Sequence, residues 1–222
     1  RRGSESGASS GAAGEQIQGV GSRQTLVLLD GFPVINARGI KSGNINLDRQ
    51  STARLEQVEV VKGAASALYG SDSIGGVINL ITREPKKPLD GSVTISGGSY
   101  GIFDTRGDVG FKKNRFSGFV SSERHKNNGF DLTPTTWDTT GAGFHRYDFY
   151  TKLKYQFSPT LSISSFADVK QGNIQGRSIG ERGNQAENVD ESNQSYGATA
   201  SWNFNSRGLA QIRGYYSRYD EI

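Results

Sequence analysis

Cysteine is absent from the 222-residue chain, which excludes disulfide bonds and thiolate metal sites. Long apolar runs are also absent, because none approaches the roughly 20 residues that a transmembrane helix needs. A β-barrel membrane protein remains open, since its strands are short and apolar on one face only. Histidine occurs only twice, at positions that form no Ser-His-Asp arrangement.

Features of an enzyme or a nucleic-acid-binding protein are also lacking. The net charge of +4 is spread along the chain without a basic stripe, so no nucleic-acid partner is expected. The stretch "GVGSRQT" (19–25) lacks the Gly-Lys-Ser/Thr ending of a phosphate loop. We therefore predict that the protein is not an enzyme and has no catalytic residues, no cofactor and no metal site.

The chain divides into two parts with different patterning. Residues 1–83 contain three apolar segments, "TLVLLDGFPV" (25–34), "RLEQVEVVKG" (54–63) and "GVINLITR" (76–83), which predict strands in an α+β domain. The stretch 84–90 contains two prolines and two lysines and is predicted to be a linker. Residues 91–222 alternate apolar and polar side chains with a period of two, which predicts an antiparallel β domain.

One strand shows the alternation clearly. In "YDFYTKLKYQF" (147–157) one face is apolar and the other is polar. The apolar-leaning face carries Tyr147, Phe149, Leu153, Tyr155 and Phe157, and the opposite face carries Asp148, Lys152, Lys154 and Gln156. About seven such strands follow the linker, with tight turns near 112–114, 158–160 and 205–208. Long polar stretches at 125–145 and 174–193 predict loops at the other end.

Aromatic residues collect at both ends of these strands. Next to the short turns lie Phe111, Phe116, Tyr155, Phe157, Trp202 and Phe204, and next to the long loops lie Phe103, Tyr147 and Tyr196. Two aromatic belts that bracket an apolar band are typical of a transmembrane β-barrel. In a soluble barrel the apolar face would instead point inward. We therefore predict that the apolar face contacts outer-membrane lipid and that the polar face lines a lumen.

Five blocks in a fixed order carry a family resemblance. "TLVLLDGFPV", then "LEQVEVVKGAASALYGSDSIGGVINLIT" (55–82), a linker and alternating strands resemble the plug-to-barrel passage of TonB-dependent outer-membrane receptors. The core of the resemblance covers about residues 17–83, and the alternating strands extend it. Ala64 stands where the family usually has proline, and Gln57 stands where a basic residue is common.

The resemblance implies a fold, a location and a function. The expected fold is a large antiparallel transmembrane β-barrel in the cell outer membrane, with an N-terminal plug domain in its lumen. The seven predicted strands would be only the first part of that barrel, so we expect the chain to be a fragment. The expected function is transport of a metal chelate, foremost a ferric siderophore, energised by a TonB-like periplasmic partner. A cobalamin or haem receptor and an unplugged porin-like channel are alternatives.

Candidate sites follow from the same resemblance. Ligand would contact the apical stretches 3–15 and 36–46, whose candidate residues are Ser4, Glu5, Ser9, Arg38, Lys41, Asn44 and Asn46. Gly75 and Gly76 would let the plug backbone pass close to other chain segments. Glu59 and Lys62 would meet charges on the inner barrel wall, with Arg106, Asp108, Lys152 and Lys154 as candidate partners. Plain solvated strand charges are the alternative for this pair.

Overall fold

A computed structural model of the chain describes residues 25–34, 54–62, 76–180, 183–205 and 208–222. Within these residues the chain forms eleven β-strands and one short 3-10 helix. The strands are β1 (Thr25–Leu29), β2 (Phe32–Pro33), β3 (Leu55–Lys62), β4 (Gly76–Thr82), β5 (Leu89–Gly97), β6 (Phe103–Lys113), β7 (Phe116–Asn127), β8 (Gly143–Gln156), β9 (Leu161–Gly180), β10 (Gly183–Asn205) and β11 (Gly208–Glu221). The 3-10 helix is Ser99–Gly101. No helix in these ranges has the length and apolarity that crossing a membrane requires.

Strands β1 to β4 form a small sheet in the order β2-β1-β4-β3. Its central strand β4 pairs in parallel with β1, from Thr25 opposite Gly76 to Leu29 opposite Leu80. On its other side β4 pairs antiparallel with β3. Val77, Ile78 and Leu80 are buried, as expected for a central strand covered on both faces. We call this element the small sheet.

Glycine is required at two points of the small sheet. Gly76 has a φ of 137°, which side-chain-bearing residues rarely adopt, and lies between Thr25 of β1 and Lys62 of β3. The turn between β1 and β2 has positive φ at both central residues, 50° at Asp30 and 82° at Gly31. Two positive φ angles characterise the type I′ hairpin turn, for which Asp-Gly is a preferred sequence.

Strands β5 to β11 form a seven-stranded antiparallel sheet in chain order. We call it the large sheet. Short turns join β6 to β7 and β8 to β9 at one end, where Asn114 takes a φ of 54°. A longer connection, residues 128–142, joins β7 to β8 at the opposite end. The predicted number of strands and the placement of these connections are confirmed.

The predicted loop at 174–193 is wrong, because its described residues, 174–180 and 183–193, form two paired strands. Strands β9 and β10 stay paired from Leu161 opposite Trp202 to Gly180 opposite Gly183. Polar composition suggested a loop, but a hairpin that projects beyond lipid has water on both faces and needs no apolar face. The connection 128–142 lies against this hairpin, where the Thr139 amide donates to the Arg177 carbonyl at 3.0 Å.

The two faces of the large sheet differ as the alternation predicts. Phe149 and Trp202 expose 45% and 54% of their surface, whereas Asp148 and Tyr150 expose 4% and 1%. Aromatic pairs cover the outer face near the short turns, with ring centroids 4.7 Å apart for Tyr155 and Phe157. The prediction that apolar side chains face outward and charged ones face the small sheet is confirmed.

The boundary between the two sheets falls near the predicted linker. Strand β4 ends at Thr82 and β5 begins at Leu89, two residues before the expected start of the barrel domain at 91. Pro88 already takes part in sheet pairing, since its carbonyl accepts a hydrogen bond from the Lys112 amide at 3.1 Å. The connection between the sheets is therefore only six residues long, 83–88.

The lipid-facing assignment makes a stability prediction for Thr151, which lies on the outer face of β8 midway between Tyr147 and Tyr155. In the full-length protein, Thr151→Arg should lower the free energy of unfolding by about 2–4 kcal/mol, because a charge near the bilayer midplane is poorly solvated. Unfolding by urea in lipid vesicles measures the change. Thr151→Val is the matched control and should stay close to the parent. Equal stability of the two variants would show that this face does not contact lipid.

Candidate functional site

The candidate site is the contact between the small sheet and the inner face of the large sheet. Its centre is an apolar cluster contributed by both sheets. The members from the small sheet are Val27, Leu29, Ile78 and Leu80, and those from the large sheet are Phe119 and Tyr150. Phe166 packs against the cluster from β9. Phe119, Tyr150 and Phe166 therefore provide an apolar surface on the inner face against which the small sheet packs.

The β1–β2 turn extends this contact toward the last described strands. The ring of Phe32 lies 5.0 Å from that of Phe166 and 6.0 Å from that of Tyr215, measured between centroids. The Arg213 guanidinium lies 5.9 Å from the Phe32 ring centroid and 3.5 Å from the Gly31 carbonyl oxygen. Phe32 is thus held between aromatic and cationic side chains of β9 and β11.

Arg54 forms a buried ion pair across the contact. Its Nη1 donates to Asp168 Oδ1 at 2.6 Å and its Nη2 to Asp168 Oδ2 at 3.0 Å, which is a bidentate geometry. The guanidinium also lies 4.8 Å from the centroid of the Tyr150 ring. Burial disfavours the charge of Arg54, but the Asp168 carboxylate outweighs this effect and raises the pKa of Arg54 above its ordinary value.

Asp30, in the β1–β2 turn, is a second point of attachment. Within the small sheet its carboxylate accepts hydrogen bonds from the Thr82 amide at 2.9 Å and the Thr82 hydroxyl at 2.6 Å. From the large sheet it accepts hydrogen bonds from the Tyr150 hydroxyl at 3.2 Å and the Lys152 ammonium at 3.1 Å. One carboxylate therefore fixes the turn and joins it to β8.

The connection 83–88 contributes a third set of ion pairs. The guanidinium of Arg83 contacts Asp108 at 3.0 Å and Asp90 at 3.3 Å, and Ser92 donates to the other oxygen of Asp108 at 2.5 Å. Glu84 pairs with Lys154 at 3.2 Å. These contacts secure the point where the chain passes from the small sheet to the large one.

Further charges on the inner face pair with one another within the large sheet. His125 contacts Glu123 at 3.1 Å and Asp104 at 3.2 Å through its two ring nitrogens. Arg106 lies 3.5 Å from Glu123. This network belongs to β6 and β7 and lines the same face as the Asp30 and Arg54 contacts. It makes that face polar and charged where the small sheet does not cover it.

The structure describes only some of the residues predicted to form sites. The predicted ligand-binding residues Ser4, Glu5, Ser9, Arg38, Lys41, Asn44 and Asn46, together with Gly75, lie outside the described residues. Gly76 lies inside the small sheet, between β1 and β3. Lys62 is the last residue of β3 and pairs with Gly76 of β4. The Glu59 carboxylate accepts hydrogen bonds from Gln57 at 2.8 Å and Asn79 at 3.3 Å, both in the small sheet.

Three of the four large-sheet charges predicted to contact the N-terminal part of the chain do so, but not with Glu59 or Lys62. Asp108, Lys152 and Lys154 do pair with the N-terminal part of the chain, but their partners are Arg83, Asp30 and Glu84. Sequence reasoning missed these three residues, as well as Arg54 and Asp168. Their place in the sequence could have identified Asp30, Arg54 and Arg83, because each lies directly beside a predicted strand of the small sheet.

The buried ion pair predicts that loss of one partner destabilises the protein more than loss of both partners. Asp168→Ala in the full-length receptor should destabilise it by about 3–5 kcal/mol, because the charge of Arg54 then loses its buried carboxylate partner. Arg54→Met combined with Asp168→Ala should recover part of that loss. Chemical unfolding of the purified receptor measures both. Lys154→Ala, which opens the more exposed pair with Glu84, is the control and should cost at most about 1 kcal/mol. Additive effects of the two core mutations would contradict the pairing.

Comparisons with known proteins agree with this geometry. Residues 3–77 match the family model described as TonB-dependent Receptor Plug Domain. The chain is 40% identical over 88 residues to the iron-regulated outer membrane virulence protein of Vibrio cholerae serotype O1, a match that covers 36% of the chain and 13% of that protein.

Two further relatives match over similar lengths. The vitamin B12 transporter BtuB of Vibrio vulnificus is 38% identical over 96 residues, or 43% of the chain and 15% of BtuB. The ferric enterobactin receptor PirA of Pseudomonas aeruginosa is 37% identical over 86 residues, or 36% of the chain and 12% of PirA. The matched segments are therefore a small part of each relative.

The fold has a close counterpart among solved structures. The siderophore receptor PirA from Acinetobacter baumannii superposes with a TM-score of 0.69 at 20% identity, covering 92% of the chain and 33% of that receptor. The superposition extends the likeness from the plug model to the strands of the large sheet. The match of residues 3–77 shows that the chain carries the plug domain of TonB-dependent receptors, and the superposition shows that its fold is that of a siderophore receptor.

Proposed function

We propose that the chain supplies the plug and the first wall strands of an active transport receptor for a metal chelate, foremost a ferric siderophore. The observation that carries the proposal is the attachment of the small sheet to the inner wall through Arg54–Asp168 and Asp30–Lys152. A sheet held in that position obstructs the lumen, so passage of a ligand requires the plug to move. An unplugged channel has no inner domain that such contacts could hold in place.

Movement of the plug requires an external source of work. The small sheet is held to the inner wall by an apolar cluster and by ion pairs, and these contacts must be released together when the sheet moves. Binding of a ligand at the outer side supplies only its differential affinity for the open and closed states. We therefore propose a periplasmic TonB-type partner that acts on the plug, a proposal supported by the match of residues 3–77 to the plug domain of TonB-dependent receptors.

The choice of a ferric siderophore rests on the relatives and on the charge of the candidate residues. Among the relatives, one is named as a ferric enterobactin receptor and another as a vitamin B12 transporter. The predicted apical residues Arg38 and Lys41 are cationic, which suits an anionic ferric chelate better than cobalamin. Asn44 and Asn46 would add hydrogen-bond donors. Cobalamin and haem remain second candidates, and their transport would use the same plug movement.

Uptake assays test the transport proposal. A strain that lacks the receptor should take up radiolabelled iron from its siderophore only when the full-length gene is restored, and only when the TonB-type partner is present. Ferric enterobactin, cobalamin and haem are supplied in parallel to identify the ligand class. Arg38→Gln combined with Lys41→Gln should weaken uptake of an anionic chelate while leaving the amount of receptor in the membrane unchanged.

The matched control replaces two cations elsewhere on the plug that are not candidates for ligand binding. Lys62→Gln combined with Lys86→Gln removes the same charge from β3 and the inter-sheet connection and should leave uptake near the parental level. Uptake that continues without the TonB-type partner would contradict active transport. Restoration of cobalamin uptake alone would replace the siderophore assignment.

A further inference from the structure

Four exposed cationic residues lie together at the short-turn end of the large sheet. They are Lys87, Lys112, Lys113 and Arg115. Lys112 and Lys113 end β6, Arg115 lies in the turn to β7, and Lys87 precedes β5. The carbonyl of Pro88 accepts a hydrogen bond from the Lys112 amide, which brings Lys87 beside the other three cations. We call this group the cationic rim.

The cationic rim lacks compensating negative charge. Within the described ranges, none of its four side chains forms an ion pair with a carboxylate. The two glutamates in this region are already engaged, because Glu56 accepts from Lys86 at 2.6 Å and Glu84 pairs with Lys154 at 3.2 Å. The rim therefore presents its charge to whatever lies beyond the strand ends.

The aromatic belt lies directly beside the rim. Phe111 and Phe116 flank Lys112, Lys113 and Arg115 in sequence, and their ring centroids are 5.4 Å apart. The Arg115 guanidinium donates to the carbonyl oxygen of Phe157 at 2.9 Å. Because the Phe157 ring packs edge-to-face against Tyr155 in the belt, this bond fixes Arg115 at the level of the belt.

The position of the belt determines what the rim meets. Aromatic side chains of a membrane protein lie at the boundary between hydrocarbon and headgroups. Cations just beyond that boundary face lipid phosphates, and a cluster of them favours anionic headgroups. At the opposite end of the sheet Arg177 pairs with Asp131 at 3.7 Å and Arg218 with Asp220 at 2.7 Å, whereas Arg124 lies 5.6 Å from the centroid of the Tyr147 ring and Lys126 is exposed.

We propose that the cationic rim binds the phosphate groups of anionic phospholipids in the leaflet at the short-turn side of the membrane. A lipid is the occupant that fits best, because the rim is continuous with the aromatic belt and its charge is unpaired. An acidic soluble protein would meet the same charge but would have no reason to lie at the level of the belt. Bound lipid would fix the depth of the large sheet in the membrane next to residues 83–88, where the chain passes from the small sheet to the large sheet.

Spin-labelled lipids test the proposal on the full-length receptor. The receptor is placed in phosphatidylcholine vesicles that contain trace spin-labelled phosphatidylglycerol or spin-labelled phosphatidylcholine, and the motionally restricted fraction is compared. The parent should prefer phosphatidylglycerol. Lys113→Gln combined with Arg115→Gln should reduce that preference by about fivefold for each charge removed. Lys87→Gln combined with Lys113→Gln leaves the Arg115–Phe157 bond intact and should give the same loss.

Controls separate lipid binding from general effects of charge. Arg124→Gln combined with Lys126→Gln removes two cations from the other end of β7 and should preserve the preference for phosphatidylglycerol. Lys113→Arg should preserve it as well, because the charge is kept. High salt should abolish the preference, whereas excess inorganic phosphate at constant ionic strength should not.

Three outcomes would overturn the proposal. The first is an unchanged preference in both rim variants. The second is an equal loss in the Arg124 and Lys126 control, which would indicate a nonspecific charge effect. The third is displacement by inorganic phosphate or by an acidic peptide with no difference between the two lipids, which would indicate a phosphate or protein site instead. None of these readouts depends on the transported ligand, so they stand apart from the uptake assays.

Discussion

A strand that crosses a membrane gives each side chain one of two environments, and the structure depends on that restriction. Along β8, Phe149 and Leu153 face outward while Asp148, Tyr150 and Lys152 face inward. A shift of the pairing by one residue would send every charge of this strand into lipid. The antiparallel register of the large sheet therefore determines where the small sheet can bind and which charges it meets.

The contact between the sheets combines an apolar centre with an ionic border. Val27, Leu29, Ile78 and Leu80 need an apolar surface, and the wall supplies it through Phe119, Tyr150 and Phe166. Around this centre, Asp30, Arg54 and Arg83 reach carboxylates, a hydroxyl and an ammonium group on four strands. Buried ion pairs add little net stability, because desolvation offsets most of their attraction. Any other position of the small sheet would leave these charges buried without partners. The ion pairs therefore determine where the small sheet binds more than how tightly it binds.

The alternation of the wall could be predicted from the sequence, because a period of two follows directly from strand geometry and the outer face must be apolar. The small sheet could be predicted in outline for a similar reason, since its apolar segments and the Asp-Gly turn are local signals. The pairing of Arg54 with Asp168 could not, because 114 residues separate them and no local pattern joins them. Tyr150 falls on the same face as Asp148 and Lys152, and Phe166 falls on that of Asp168, so the alternation places both rings inward. The sequence does not show that the small sheet packs against them. The hairpin at 174–193 escaped prediction because polar composition does not distinguish a solvated strand from a loop.

The composition of the contact bears on how the plug could leave the wall and return. An apolar interface exposes its whole area to water when it opens, and the cost grows with that area. Ionic groups behave differently, because water hydrates each separated charge and repays much of the lost attraction. A contact in which charges of Asp30, Arg54, Arg83 and Glu84 surround a small apolar centre is therefore less costly to open into a wet lumen than a wholly apolar one of equal size. The same charges favour the original position on closing, since that position gives each of them an oppositely charged partner on the wall. The proposed opening of the plug under an external pull, followed by correct closing, needs both properties, and this arrangement of charges provides them.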